Sequence, residues 1–225
     1  MVKNIRIKYL LATSLILLGG CASGNFELSA AAGVSHIKDR AIVVVSAEEI
    51  SLVDRFPDFT SFLFRHQNGI DAFSTITSVH NNNKNRSVDF VSDAYPKSRG
   101  RVQVLSIAPG EYELEELKVV NPSGVYYTTQ DLGNIKFTAR KNEAIYIGNL
   151  LIQLESEKLF SWSVDIFVGG SPSIHDRYER DVAIARRNVP LLQNIQIRNE
   201  VLGNGEPKIP EGLFTLLTNL PSGSL

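Results

Sequence analysis

One cysteine, four histidines and a short run of glutamates hold most of the reactive chemistry in this 225-residue sequence. Cys21 is the single thiol, so the chain can build neither an internal disulfide nor a cysteine-based metal site. Its setting gives it another use: it follows Gly19 and Gly20 at the end of an apolar run, where small residues suit a peptidase. The histidines, His36, His66, His80 and His175, show no His-x-x-x-His or Glu-x-x-His spacing, and no metal is expected. His80 lies in an Asn-rich stretch and reads as a solvated loop histidine. His175-Asp176 lacks any Gly-x-Ser-x-Gly elbow to serve, and Asp176 is better explained by the positive end of a helix dipole.

Glycoside cleavage needs two carboxyl groups facing each other across a sugar. Strand alternation instead puts Glu111, Glu113 and Glu115 on one side and Tyr112, Leu114 and Glu116 on the other, so a solvated face is expected. Gly169-Gly170-Ser171 could present free amides to an anion, but two glycines there read more simply as a bend. Tyr126, Tyr127 and Trp162 could line a groove, although aromatic residues on sandwich strands usually fill the core. No catalytic residue, metal ligand or cofactor is assigned.

The leader reads in three parts. Lys3, Arg6 and Lys8 give a basic start, Tyr9 to Leu18 an apolar run broken by Thr13 and Ser14, and Gly19-Gly20 a cleavage site. The run is shorter than the ~20 residues a membrane-spanning helix needs. Leu18-Gly19-Gly20-Cys21 resembles the lipobox of bacterial lipoproteins. That resemblance implies cleavage between Gly20 and Cys21, a diacylglycerol thioether on Cys21 and acylation of the freed amine, with palmitate as a typical acyl group. Two or more chains anchor stably where one binds only marginally. Ala22, rather than Asp, implies an outer-membrane address, on its periplasmic face. Without the leader, 20 basic residues stand against 24 acidic ones, a net charge of about -4. That balance excludes a nucleic-acid binder, and leaves the lipid rather than a basic patch to hold the membrane.

The remaining chain must supply the folded part, and its 43% hydrophobic content is ample for one domain. Residues 21–38 read as the lipidated N-terminus and a tether, 39–202 as the domain, and 203–225 as a flexible tail with an apolar island at Leu213 to Leu217. Strands are expected at Ala41 to Val45, Thr60 to Arg65, Val125 to Thr129, Asn134 to Ala139, Ala144 to Leu154 and Ser161 to Val168. Arg101 to Ala108 and Tyr112 to Val120 flank Pro109-Gly110-Glu111 and read as a hairpin. His80 to Arg86 reads as a loop.

Ser171-Pro172 reads as the start of a helix whose buried stripe is Ile174, Tyr178, Val182, Ala185 and Val189. Asp176, Glu179, Arg180, Arg186 and Arg187 lie opposite, with Asp176 and Arg180 spaced to pair. Pro190 ends it, and Leu191 to Leu202 offers a second short helix.

Together these elements predict a mainly β protein, an antiparallel β-sandwich closing with a C-terminal helix. Ala108-Pro109-Gly110-Glu111-Tyr112, Phe137 to Arg140, Glu143 to Gly148 and the helix ending at Pro190 resemble small proteobacterial lipoproteins of uncharacterised function. Their implied core is transthyretin-like or carboxypeptidase-regulatory-like. Asn142 stands where that pattern has glycine, and Asn also tolerates positive φ. The expected role is a lipid-anchored envelope protein, a non-enzymatic binding or structural module with a possible envelope protein partner. The alternatives are an envelope hydrolase, or an accessory subunit of an envelope assembly or secretion complex using the tail as a docking strand.

Overall fold

A computed structural model describes residues 25–52, 56–80, 86–92, 96–120, 126–130, 135–158, 165–202 and 215–217. Its strands are β1 (Phe26–Glu27), β2 (Ala41–Ser51), β3 (Phe59–His66), β4 (Ala72–Ile76), β5 (Val79–His80), β6 (Arg86–Ser87), β7 (Phe90–Ser92) and β8 (Lys97–Ile107). There follow β9 (Gly110–Val120), β10 (Tyr126–Gln130), β11 (Lys136–Ala139), β12 (Ala144–Lys158), β13 (Asp165–His175), helix α1 (Tyr178–Asn188), β14 (Ile197–Asn199) and β15 (Thr215–Leu217).

Two sheets face each other. The first runs β1-β8-β2-β12-β13, with β14 sharing the outer edge of β12 and β7 added to β8; the second runs β15-β10-β9-β3-β4, with β11 also on β9. Pairing is antiparallel except that β12 runs parallel to both β2 and β14. The protein is therefore the mainly β, two-sheet sandwich expected, with one helix near its C-terminus.

β2 explains the architecture. Ala41, Val43, Val45 and Ala47 point into the core between the sheets, while Ile42 and Val44 point the other way, into a second cluster with Val182, Ala185 and Val189 of the helix segment. A strand covered on both faces must be apolar at every position, which is why Ala41 to Val45 has no alternation. Across the core, Phe64 stacks on Phe73 with centroids 5.0 Å apart, and Tyr112 on Phe137 at 5.4 Å. At Gly100 an added Cβ would lie 2.4 Å from the Ala47 carbonyl and from the Phe90 ring, so only glycine lets β7 close over β8.

Several local expectations are corrected. β8 and β9 do not form a hairpin: β8 pairs with β1, β2 and β7, β9 pairs with β3, β10 and β11, and Ala108-Pro109 is a corner between sheets. Gly110 sits there with φ 150°, and an added Cβ would be 1.9 Å from His66 Nε2. A bulge opposite Leu63 and Phe64 breaks the alternation of β9, so Leu117 and Val119 join Tyr112 and Leu114 inside and Glu116 joins the outer face. Ser171-Pro172 lies in β13, not at a helix start, and α1 begins at Tyr178. Pro172 is tolerated because β13 is an edge strand.

The stretch expected as a second helix is a 3-10 turn, Pro190–Asn194, followed by β14. The ends of the Asn-rich loop pair as β5 and β6. From the island in the tail, Thr215–Leu217 pairs with β10, while 203–214 and 218–225 fall outside the described residues. So do Trp162 and Val164 of the expected strand at Ser161 to Val168. The tether reading gives way from Asn25 on: β1 pairs with β8, and Leu28 is buried. Asn142 has φ 62°, a left-handed conformation that Asn tolerates better than most side chains.

Candidate functional site

Cys21 and Gly20, the residues assigned to lipidation and cleavage, lie outside the described residues. The fold does define the point at which the chain leaves them. Asn25 is tied into one end of the sandwich: its Oδ1 accepts from Ala108 N at 2.9 Å and Arg40 Nη2 at 3.3 Å, and its Nδ2 donates to Ala72 O at 3.1 Å. Arg40 also lies over the Phe26 ring, 5.3 Å from its centroid. Glu27 pairs with Arg101 at 2.9 Å and accepts from Gln103 Nε2 at 2.9 Å, and Leu28 N donates to Val104 O at 2.7 Å. A two-residue strand has little strength of its own, so these side-chain bonds are what fix it.

The groups weighed for catalysis are dispersed. Glu113 pairs with Lys136 at 3.2 Å, Glu115 with Arg65 at 2.5 Å and Glu116 with Lys118 at 3.8 Å, which makes the acidic face an ion-pair surface. His36 accepts from Gly33 N within its own turn. His66 Nδ1 accepts from Asn68 N, and its ring stands edge-on to Tyr112 at 4.8 Å. Burial pushes the Tyr112 phenol up to about 12. Ser173 Oγ lies 2.8 Å from His175 Nε2 on the exposed end of β13. Asp176 faces neither: its oxygens accept from Tyr178 N and Asn199 Nδ2, both at 2.9 Å, and its expected pairing with Arg180 does not form. Among the described residues no group of three His, Cys, Asp or Glu could hold a metal.

A cluster that the sequence reading missed lies under α1. Asp181 is fully buried; its Oδ2 accepts from Ser46 Oγ at 2.5 Å and Tyr146 OH at 2.7 Å, and its Oδ1 from Arg180 Nε at 2.8 Å. Ser46 accepts in turn from Asn149 Nδ2 at 2.8 Å. Arg180 continues to Glu48 at 3.1 Å and lies 4.0 Å over the Phe90 ring. Burial opposes the Arg180 charge, but the carboxylates of Asp181 and Glu48 more than offset it and raise its pKa. Burial raises Tyr146, and the charge of Asp181 raises it further.

One signal could have found this cluster: Asp181 falls three after Tyr178 and four before Ala185, on the buried stripe itself. Beside it, Asp176, Arg177, Tyr178, Glu179, Arg180 and Asn199 line an open cavity of about 450 Å³. With both Asp181 oxygens engaged, the cluster clamps the helix to the sheet.

Compared with known proteins, the chain matches no family model, no curated protein and no solved structure. No helix among the described residues is long and apolar enough to cross a membrane.

Proposed function

We propose that this chain is a lipid-anchored protein of the bacterial cell envelope, held by acyl groups on Cys21 and acting through its sandwich as a non-enzymatic binding or structural module. The observation that carries this reading is the sequence Leu18-Gly19-Gly20-Cys21 behind a basic start and a short apolar run, with the sole cysteine at the one position this chemistry uses. Supporting it, the first strand begins five residues after Cys21, and the acidic balance of the chain beyond the leader offers membranes no alternative attraction. The outer membrane, facing the periplasm, is the proposed address, from Ala22.

Mass spectrometry and membrane fractionation test the anchor. The wild-type chain should sediment with membranes and yield an N-terminal peptide starting at an acylated Cys21, and Cys21→Ser should move the protein to the soluble fraction. A free thiol on Cys21, or a retained leader, sinks the reading.

The hydrolase alternative has one observation in its favour, the Ser173–His175 contact. If it acts as a nucleophile and base, Ser173→Ala should abolish any ester hydrolysis by the purified protein; activity unchanged by that substitution would dismiss this pair.

A further inference from the structure

Chain length limits where an anchored sandwich can sit. Cys21 and Asn25 are four residues apart, so even a fully extended backbone separates their Cα atoms by no more than about 14 Å. Asn25 is not free to swing, because it bonds Ala108, Ala72 and Arg40. Ala72 begins β4, directly after the turn that follows His66, and at the tip of that turn Ile70 is 85% exposed, the most exposed of the large apolar side chains described. The entry point of the chain and the apolar tip therefore share one end of the sandwich.

Resting on the lipid-anchor reading, we propose that this end is laid against the lipid bilayer, with Ile70 entering the headgroup region. The loops at this end carry mixed charge. Asp39 pairs with Lys141 at 2.9 Å and Arg140 with Glu143 at 3.6 Å, and Asp71, directly after Ile70, accepts from Asn68 Nδ2 at 2.9 Å. The opposite end is out of reach: Val91, 58% exposed, pairs with Arg99, seven residues along β8 from Ser106, which faces Phe26. That displacement is about 23 Å at strand rise.

The acylated full-length protein in phosphatidylcholine vesicles carrying headgroup spin-labelled lipid provides the test. Acylation blocks the sulfur of Cys21, so Ile70→Cys and Val91→Cys each offer one thiol for a fluorophore. Quenching at 70 should exceed that at 91 by about threefold or more, given the ~20 Å between the two levels. Gln67→Cys, exposed on the same turn, should follow 70 and guards against a local effect of replacing Ile70. Inserting a dozen or so Gly and Ser residues after Ser23 should bring the ratio toward one, since a flexible linker of that length reaches ~20 Å or more.

Equal or reversed quenching on protein whose Cys21 peptide carries acyl groups overturns the orientation and leaves the anchor standing. An unacylated peptide from protein that fails to bind the vesicles overturns the anchor, and the orientation with it.

Discussion

Two buried carboxylates lie on opposite sides of the β2 layer, and the fold holds them in different ways. Glu49, on the core side, meets Arg99 and the hydroxyls of Thr60 and Thr77, at 2.9 and 3.2 Å, with Arg99 extending to Pro57 O at 2.6 Å and resting over Phe56. Asp181, reaching the helix side, meets two neutral hydroxyls and one guanidinium that it shares with Glu48. Each carboxylate accepts from two hydroxyls and one guanidinium, and the difference lies in the cation. Arg99 is itself buried and closes on Glu49 between the sheets, whereas Arg180 is partly exposed and is shared by Asp181 and Glu48. The more closed pair is vulnerable to the loss of either buried member, whereas the helix-side cluster keeps other partners when one bond is lost.

The largest effect should come from breaking the closed pair. Arg99→Leu leaves Glu49 uncompensated and should cost about 3–5 kcal/mol in urea unfolding, and Glu49→Leu with Arg99→Leu should recover most of it, because an apolar pair needs no partner. A double variant as unstable as the single one would mean that the pair is worth more than its burial costs. Next, Asp181→Ala leaves the buried hydroxyls of Ser46 and Tyr146 without their acceptor and should cost about 2–3 kcal/mol, while Tyr146→Phe, which removes one bond, should cost about 1 kcal/mol. Equal losses from these two would show that the cluster is not distributed at all.

The smallest effects separate the clusters by pH. Burial raises Glu49 above its ordinary 4.5 despite Arg99, so its contribution is complete below that pH and is lost as pH rises through the folded value. Glu49→Gln should flatten that decline. Tyr146 is raised above its ordinary 10, so its contribution survives to pH 10 and fades only beyond it, and Tyr146→Phe should flatten that later decline instead. Thermal melts across pH 4–11 read both windows.

How legible each part was depended on how local its cause was. The strands around Ala41–Val45 and Ala144–Leu154 and the stripe Tyr178, Val182, Ala185 were readable because burial imposes its period on the residues themselves. The Pro109-Gly110 corner was misread because its turn chemistry is the same whether the chain folds back on its own sheet or crosses to the other; only the pairing partner differs. Ser171-Pro172 misled for a similar reason, since an edge strand and a first helical turn both spare the proline its missing N–H. The two-residue β1 carries no period, and its placement depends on Asn25 and Arg40 reaching Ala108 and Ser106, more than 60 residues away. Glu49 and Asp181 fall on the buried period of β2 and α1, but what allows a carboxylate there, the donors of Thr60, Thr77 and Arg99 or of Ser46 and Tyr146, comes near only in the assembled fold.

The parallel contact of β2 with β12 carries a kinetic cost. Ile42 and Ala144 are neighbours in space yet roughly a hundred residues apart in sequence, so a growing chain cannot zip its central seam until nearly two thirds of it has been made. Until then the most greasy strand of the protein has only half its walls, and anything that delays the arrival of Ala144–Lys158 prolongs the time in which Ala41–Val45 can find the wrong neighbour.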